Sequence, residues 1–476
     1  MLSSVRNAAV LAALVALHLA GPAGAQGPPL PPPLPEAPVR YDPDHLSADF
    51  HRGRRAAVMA AVPAGALAVV LGGVERGGSV DDLQEFTQNP DLYYLAGTLE
   101  AGSALLLAPG GVEVDGKRVR EVLFVPPRDP SLEIWLGRRF GAGRAMRELG
   151  VELALPLHRF ADVVGALAAG SKGPLFTTHF PVAVPPGTPL ADQMEVLAEA
   201  ASTGGGLDDA ALDAALARLR EVKEPEEMVF LRRAVDITVE AYREALGFIE
   251  PGRAEYEIEA VIEHGFRMRG SEHPGFPSIV GSGENSVLLH YDTNRRVTRD
   301  GDLVVMDVGA SYRGYTADVT RTVPVNGRFS EEQRAVYEIV LQAQEAAIGA
   351  VRSGASFGAP GQAASAVLAR GLAELGLLES PRDLVRLSRF FPHGTSHYLG
   401  LQVHDVGAYR ALKPGMVITV EPGIYIPPAE DIDPKWWNIG VRIEDDVLVT
   451  ERGPEVLSAG APKAPAEIER LMAGGR

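Results

Sequence analysis

Two successive domains, an α/β domain followed by an α+β domain, are predicted from three observations. The 476 residues exceed what one ordinary core accommodates. Between about Tyr41 and Ser202, short apolar segments alternate with helical stretches, an α/β pattern. From about Lys223 onward, stretches of helical apolar spacing share the chain with strand-like runs that read as antiparallel hairpins. An apolar fraction of 46% and a charged fraction of 22% are those of a globular chain.

In chain order, residues 1–25 read as a secretory leader. Arg6 supplies the positive region, Ala8 to Leu17 the apolar run, and Ala23-Gly24-Ala25 a small-residue cleavage site before Gln26. The apolar run is too short to span a bilayer, and no later stretch reaches ~20 apolar residues, so stable membrane insertion is not expected. The leader predicts export, with the periplasm as destination. The chain has no cysteine, which excludes a lipoprotein anchor and any disulfide. Residues 26–40 form a proline-rich linker, extended and coreless. The N-terminal domain spans 41–202, with strand-like segments at Ala66 to Leu71, Ala104 to Leu107 and Val122 to Val125. Residues 203–222 connect the domains through a helix at about Asp208 to Val222.

The second domain covers 223–476. Helices are expected at Glu224 to Ile249, at Glu255 to Arg269, from a Ser330/Gln333 capping box to Val351, and at Pro360 to Leu377. Strands are expected at Leu303 to Val308, Thr316 to Val323, Met416 to Val420 and Val441 to Val449. A net charge of -17 argues against nucleic acid and anionic membranes as partners.

Five potential metal ligands punctuate these strand-like segments: Asp307, Asp318, His397, Glu421 and Glu444. A carboxylate buried in such a segment without a partner costs several kcal/mol or takes up a proton. Four acids and an imidazole converging on two divalent cations resolve that cost. Asp307 closes the run from Leu303, and Asp318 follows a turn at Tyr312-Arg313-Gly314, so a hairpin brings the two together. His393 and His397 have the i, i+4 spacing of a helical zinc pair, but Pro392, Gly394 and Gly400 argue against a helix. One of the two is therefore expected on metal and the other facing substrate. His404 and His290 add imidazoles beside the same segments. Arg442 and Glu444 share a face by the strand period of two, which lets Arg442 orient a site carboxylate. Hard oxygen donors with one nitrogen suit Mn²⁺, Co²⁺, Zn²⁺ or Fe²⁺. Such a pair of ions makes hydrolysis of an amide the natural reaction class.

Several long stretches also carry a family resemblance: LLHYDTN (288–294), VVMDVGASYRGYTADVTRTVPVNGRFS (304–330), PHGTSHYLGLQVHDVG (392–407), LKPGMVITVEPGIY (412–425) and GVRIEDDVLVT (440–450). They resemble the pita-bread metallopeptidases, nearest to the Xaa-Pro aminopeptidases. FTQNPDLYYLAG (86–97) and EIWLGRR (133–139) resemble the N-terminal domain of the same enzymes. The resemblance implies an α+β pita-bread catalytic domain behind a smaller α/β domain of the creatinase/prolidase type, and a homo-oligomer, dimer or tetramer. It implies that Asp307 chelates one ion, that Asp318 and Glu444 bridge both, and that His397 and Glu421 complete the second. It places His290, His393 and His404 on the substrate side and Arg442 in support. A bridging hydroxide would attack the Xaa-Pro carbonyl, with Glu421 shuttling the proton to the proline nitrogen. Manganese is the ion usually associated with the family, with Co²⁺ or Zn²⁺ as alternatives. Gln402 departs from the aspartate that relatives carry, which is expected to remove an orienting charge from His404. A prolidase, restricted to Xaa-Pro dipeptides, shares the fold and ligands. A non-catalytic binding module or a metal-free creatinase-like hydrolase would lack the five ligands.

Overall fold

One mixed sheet organises the N-terminal half. Its strands are β1 (Leu67–Leu71), β2 (Ala104–Val114), β3 (Lys117–Val125), β4 (Leu153–Pro156), β5 (Leu175–Thr177) and β6 (Leu207–Asp208). They lie in the order β4-β3-β2-β1-β5-β6, with β1, β2 and β3 antiparallel and the outer strands parallel to their neighbours. The computed structural model describes residues 38–474 apart from 76–85, 172, 180–183, 185 and 204; the expected leader and most of the linker lie outside the described residues.

Helices cover both faces of this sheet because β1 is apolar on both. Ala68 and Val70 pack with α1 (Ala48–Ala61), α2 (Pro90–Ala96), α4 (Gly141–Leu149) and α7 (Ala210–Arg220), whereas Leu67, Val69 and Leu71 pack with α5 (Phe160–Gly170) and α6 (Pro189–Thr203). The short α3 (Pro130–Leu136) leaves Leu132, Ile134 and Trp135 exposed. The first of the two apolar layers continues through Phe230, Leu231, Tyr315, Leu399 and Val417, so both domains share one core.

The second half opens with α8 (Pro225–Leu246) and α9 (Glu255–Met268), followed by β7 (His273–Pro274) and β8 (Ile279–Ser282). β9 (Leu303–Val308), β10 (Ala310–Tyr312), β11 (Tyr315–Thr316) and β12 (Val319–Pro324) then form a bent double hairpin. The expected strand from Thr316 is thus split at Ala317-Asp318. Arg313 and Gly314 turn the chain with φ of 52° and 84°, the left-handed pair a two-residue hairpin requires. α10 (Glu331–Ala350) starts at the expected capping box, with Ser330 and Gln333 bonding each other's backbone N–H. It packs with α11 (Ala359–Glu374); the short α12 (Leu384–Phe390) follows. The last strands are β13 (Val417–Val420), β14 (Gly423–Ile426), β15 (Ile439–Arg442), β16 (Asp445–Thr450) and β17 (Gly453–Val456), before α13 (Pro465–Gly474). β9 runs antiparallel between β8 and β12, and β16 between β13 and β17. Among the described residues no helix is long and apolar enough to cross a membrane.

The strand expected over Val441 to Val449 is two strands. β15 pairs with β14 and β16 with β13, and Ile443-Glu444 lies between them. Glu444 donates its N–H to Thr320 O (3.0 Å), which draws the crossing point against β12.

Candidate metal centre

Asp307 lies within β9 rather than at its end, directly opposite Thr320 of β12. Asp318 stands one residue before β12. The close approach that joins them needs a glycine at 309: a Cβ there would sit 1.8 Å from Ala317 O. Glu421 follows β13 and is tied by its N–H to Thr395 O (2.9 Å). The 393–397 segment is not helical, since α12 ends at Phe390. His397 is held against β13 by two bonds with Thr419: the Thr419 N–H donates to His397 O (3.0 Å), and the His397 N–H donates to the Thr419 hydroxyl (3.2 Å).

One cavity of about 290 Å³ is lined by Asp307, Asp318, His397, Glu421, Glu444, His290, His393, His404 and Arg442, all nine residues expected from the sequence. Ligand atoms of Asp318, His397 and Glu444 lie within 4.8 Å of one another. His397 Nε2 is 3.4 Å from Asp318 Oδ2 and 3.5 Å from Glu421 Oε1. Its Nδ1 donates to Tyr398 O (3.0 Å), which leaves Nε2 with its lone pair toward the acids. His393 differs. Its Nδ1 donates to Gly394 O (2.7 Å) and its Nε2 accepts from the Tyr425 hydroxyl (2.8 Å), so both nitrogens are engaged. His404 stacks at a tilt on His397, with ring centroids 4.3 Å apart, and His290 is exposed at the cavity mouth.

Electrostatics make this cluster unstable by itself. Among the cavity-lining residues four carboxylates face one permanent cation, Arg442. Burial, then repulsion from Asp307, Asp446 and Glu421, pushes the Asp318 carboxyl well above its usual range. Burial, then Asp318, Glu421 and Asp307, does the same to Glu444. Burial pushes Glu421 up to about 7. His393 is pushed down to about 4 by burial and then by Arg442, so it is neutral at pH 7.

A divalent-ion pair fits these residues on a specific observation. Asp307 Oδ1, Asp318 Oδ1 and Glu444 Oε1 are buried oxygens with no hydrogen-bond donor among the described residues. Each carboxylate's other oxygen or its backbone is fixed, so the orphaned oxygens are held in place. Thr320 explains part of this. Its hydroxyl donates to Glu444 Oε2 (2.7 Å) and accepts from Arg442 Nε (3.1 Å). Arg442 Nη2 donates to Asp307 Oδ2 (2.6 Å) and Nη1 to the Tyr425 hydroxyl (3.0 Å). Arg442 therefore orients Asp307 directly and Glu444 through Thr320.

Sequence reasoning missed Thr320 and Tyr425. Both stand inside the motif stretches, and Thr320 lies two residues after Asp318 on a strand, which by period two predicts a shared face. The expectation for Gln402 is corrected: its Oε1 accepts from Arg220 Nη2 (3.0 Å), and among the described residues no hydrogen bond joins it to His404. Arg220 is buried and also binds Asp91 of α2 (2.7 Å) and Asp405, so Gln402 belongs to the junction between domains.

The chain is similar to known proteins over most of its length. Residues 230–451 match the model for metallopeptidase family M24, and residues 51–176 match the aminopeptidase P N-terminal domain. The chain is 38% identical over 462 residues to Xaa-Pro aminopeptidase of Escherichia coli (strain K12), covering 90% of this chain and 98% of that protein. It is 37% identical to Xaa-Pro aminopeptidase of Haemophilus influenzae, covering 88% of this chain and 96% of that one. Among solved structures, E. coli aminopeptidase P with the inhibitor Pro-Leu superposes with a TM-score of 0.83 at 36% identity, covering 91% of this chain and 100% of that chain. The two domains are thus an aminopeptidase P N-terminal domain and an M24 catalytic domain of pita-bread fold. The chain belongs to metallopeptidase family M24 and, within it, to the Xaa-Pro aminopeptidases.

Proposed function

We propose that this protein removes the N-terminal residue from peptides with proline in second position, using two divalent metal ions. The observation that carries the reading is the set of three orphaned, buried carboxylate oxygens beside His397 Nε2 and Glu421. Asp307, Asp318, His397, Glu421 and Glu444 would hold the pair, with Mn²⁺ the favoured ion. Two such ions would supply Lewis-acid polarisation of a carbonyl and would lower the pKa of a bound water.

The protein's own residues do the rest. Glu421 Oε1 stands 3.5 Å from His397 Nε2 in the same cavity, where a carboxylate can take a proton and return it. The proline nitrogen needs that proton, because a secondary amine departs poorly as its anion. His393 packs edge-on against Phe391, with centroids 4.8 Å apart, and is pinned by Tyr425, so it offers a rigid neutral wall for the proline ring. His404 and His290 line the remaining side and orient the substrate backbone. The hydrogen-bonded chain from Arg442 through Tyr425 to His393 links the acid cluster to that wall.

We further propose export to the periplasm, with the mature chain beginning at Gln26, and assembly as a dimer or tetramer. The leader-like residues 1–25 support the first, and the exposed Leu132, Ile134 and Trp135 of α3 the second. The test of activity is the peptide Ala-Pro-Phe with Mn²⁺. Release of alanine with intact Pro-Phe is expected, and no release from Ala-Ala-Phe. Cleavage of Ala-Pro but not of Ala-Pro-Phe would replace this reading with a prolidase.

A further inference from the structure

Thr320 and Arg442 hold Asp307 and Glu444, and the strands beneath the other ligands carry a comparable pair. Thr419 of β13 stands directly opposite Asp446 of β16, as Asp307 of β9 stands opposite Thr320 of β12. Thr419 and Asp446 are both fully buried. The Thr419 hydroxyl meets two expected ligands, accepting from the His397 N–H (3.2 Å) and donating to Glu421 Oε1 (3.4 Å). Asp446 Oδ2 accepts from the Asp318 N–H (3.2 Å). We infer that Thr419 and Asp446 are positioning residues for the second of the two ions. Thr419 aligns the two ligands that this ion does not share, His397 and Glu421, and Asp446 fixes Asp318, which it does share.

The inference deepens the two-ion reading and rests on it. Three observations support it. The backbone already ties His397 to β13, since the Thr419 N–H donates to His397 O (3.0 Å). The hydroxyl is left to fix what the backbone cannot, the Glu421 carboxylate relative to the His397 main chain. Among the described residues it is also the one hydrogen-bond donor to that carboxylate. The last observation concerns Asp446. A carboxylate removed from water costs several kcal/mol unless it is paired, and Asp446 Oδ1 has no hydrogen-bond partner among the described residues. Its neighbour Asp445 differs, binding Arg321 and Lys463 at 2.6 Å each. The fold thus neutralises one acid of β16 with cations and leaves the next one bonded to Asp318 alone. A residue serving only the core would cost less as an apolar side chain. Divalent ions held by Asp318 would supply the missing positive charge.

The test titrates Mn²⁺ into the metal-free full chain as wild type, Thr419→Val, Thr419→Ser and Asp446→Ala. It reads the ions bound per chain and the electron paramagnetic resonance spectrum, with circular dichroism to verify folding. Thr419→Val removes the hydroxyl at nearly constant shape, and Thr419→Ser retains it. In wild type the second ion should bring the spin-coupled signal of a close pair. In Thr419→Val and Asp446→Ala the first ion should bind as in wild type and the second roughly 10–100-fold more weakly. The signal of an isolated Mn²⁺ should then persist to higher metal concentration. Thr419→Ser should restore the second ion, which a merely steric role for Thr419 would not require. If Asp446→Ala does not fold, the two Thr419 variants decide. Equal weakening of both ions, wild-type affinity for both in Thr419→Val, or no recovery in Thr419→Ser would overturn the inference while leaving the two-ion reading intact. Tight binding of both ions by folded Asp446→Ala would remove Asp446 from it. A wild type that binds fewer than two ions would overturn the two-ion reading itself.

Discussion

Stripping the metal should make stability fall with rising pH, and the effect can be estimated from Glu421. Its carboxyl is pushed from an ordinary 4.5 to about 7 by burial, and the side chain is only 17% exposed. At about 1.4 kcal/mol per pH unit, that gap corresponds to on the order of 3 kcal/mol. The sign follows from proton counting. Between 4.5 and about 7 the folded metal-free protein binds more protons at Glu421 than the unfolded chain does. Its contribution is thus fully present below 4.5 and lost as pH rises through 7. Asp318 and Glu444 are shifted in the same direction and add to the loss. Bound divalent ions hold these carboxylates ionised and remove the penalty. Other buried groups, such as Glu100 and Glu227 (both pushed up to about 7 by burial), titrate alike with and without metal and cancel in the difference. The assay is urea unfolding with Mn²⁺ or with chelator at about pH 5 and about pH 8. The stabilisation by metal should be larger at the higher pH by about 3 kcal/mol or more. A gap that is unchanged or shrinks as pH rises would refute the reasoning.

Two substitutions probe how the acids are held. Gly309→Ala places a Cβ 1.8 Å from Ala317 O, so the hairpin must open between Asp307 and Asp318. Loss of metal binding and roughly 3 kcal/mol of stability are expected, and near wild-type metal titration would contradict the close approach. Thr320→Val keeps the shape but deletes the hydroxyl between Arg442 and Glu444. Metal affinity should fall roughly 10–100-fold in a competition titration with a chromogenic chelator, and an unchanged affinity would remove Thr320 from the centre.

Much of the framework was legible because its signals are local. The run Leu303 to Val308 is buried along its whole length between two neighbours, and its continuous apolar character says so. The capping box at Ser330 placed the start of α10 to the residue. The loop character of 393–397 followed from proline and glycine around it. What remained hidden depends on contacts between distant segments. The break at Ile443-Glu444 arises because Glu444 bonds Thr320 on another sheet, which no pattern inside Val441 to Val449 encodes. Tyr425 reads as one more aromatic in a buried strand until β14 pairs with β15 and sets its hydroxyl between Arg442 and His393. Gln402 was expected beside His404 because it is two residues away in the chain. The partner that captures it, Arg220, comes from the helix joining the domains.

The central claim is that five side chains hold two ions, with Glu444 shared between them. Metal content by mass spectrometry, after reconstitution with Mn²⁺, tests it in wild type and in Glu444→Ala, with circular dichroism to verify folding. The account predicts two ions per chain in wild type, and at most one in the folded variant together with loss of activity. Fewer than one ion per wild-type chain, or two ions and near-normal turnover in Glu444→Ala, would contradict it.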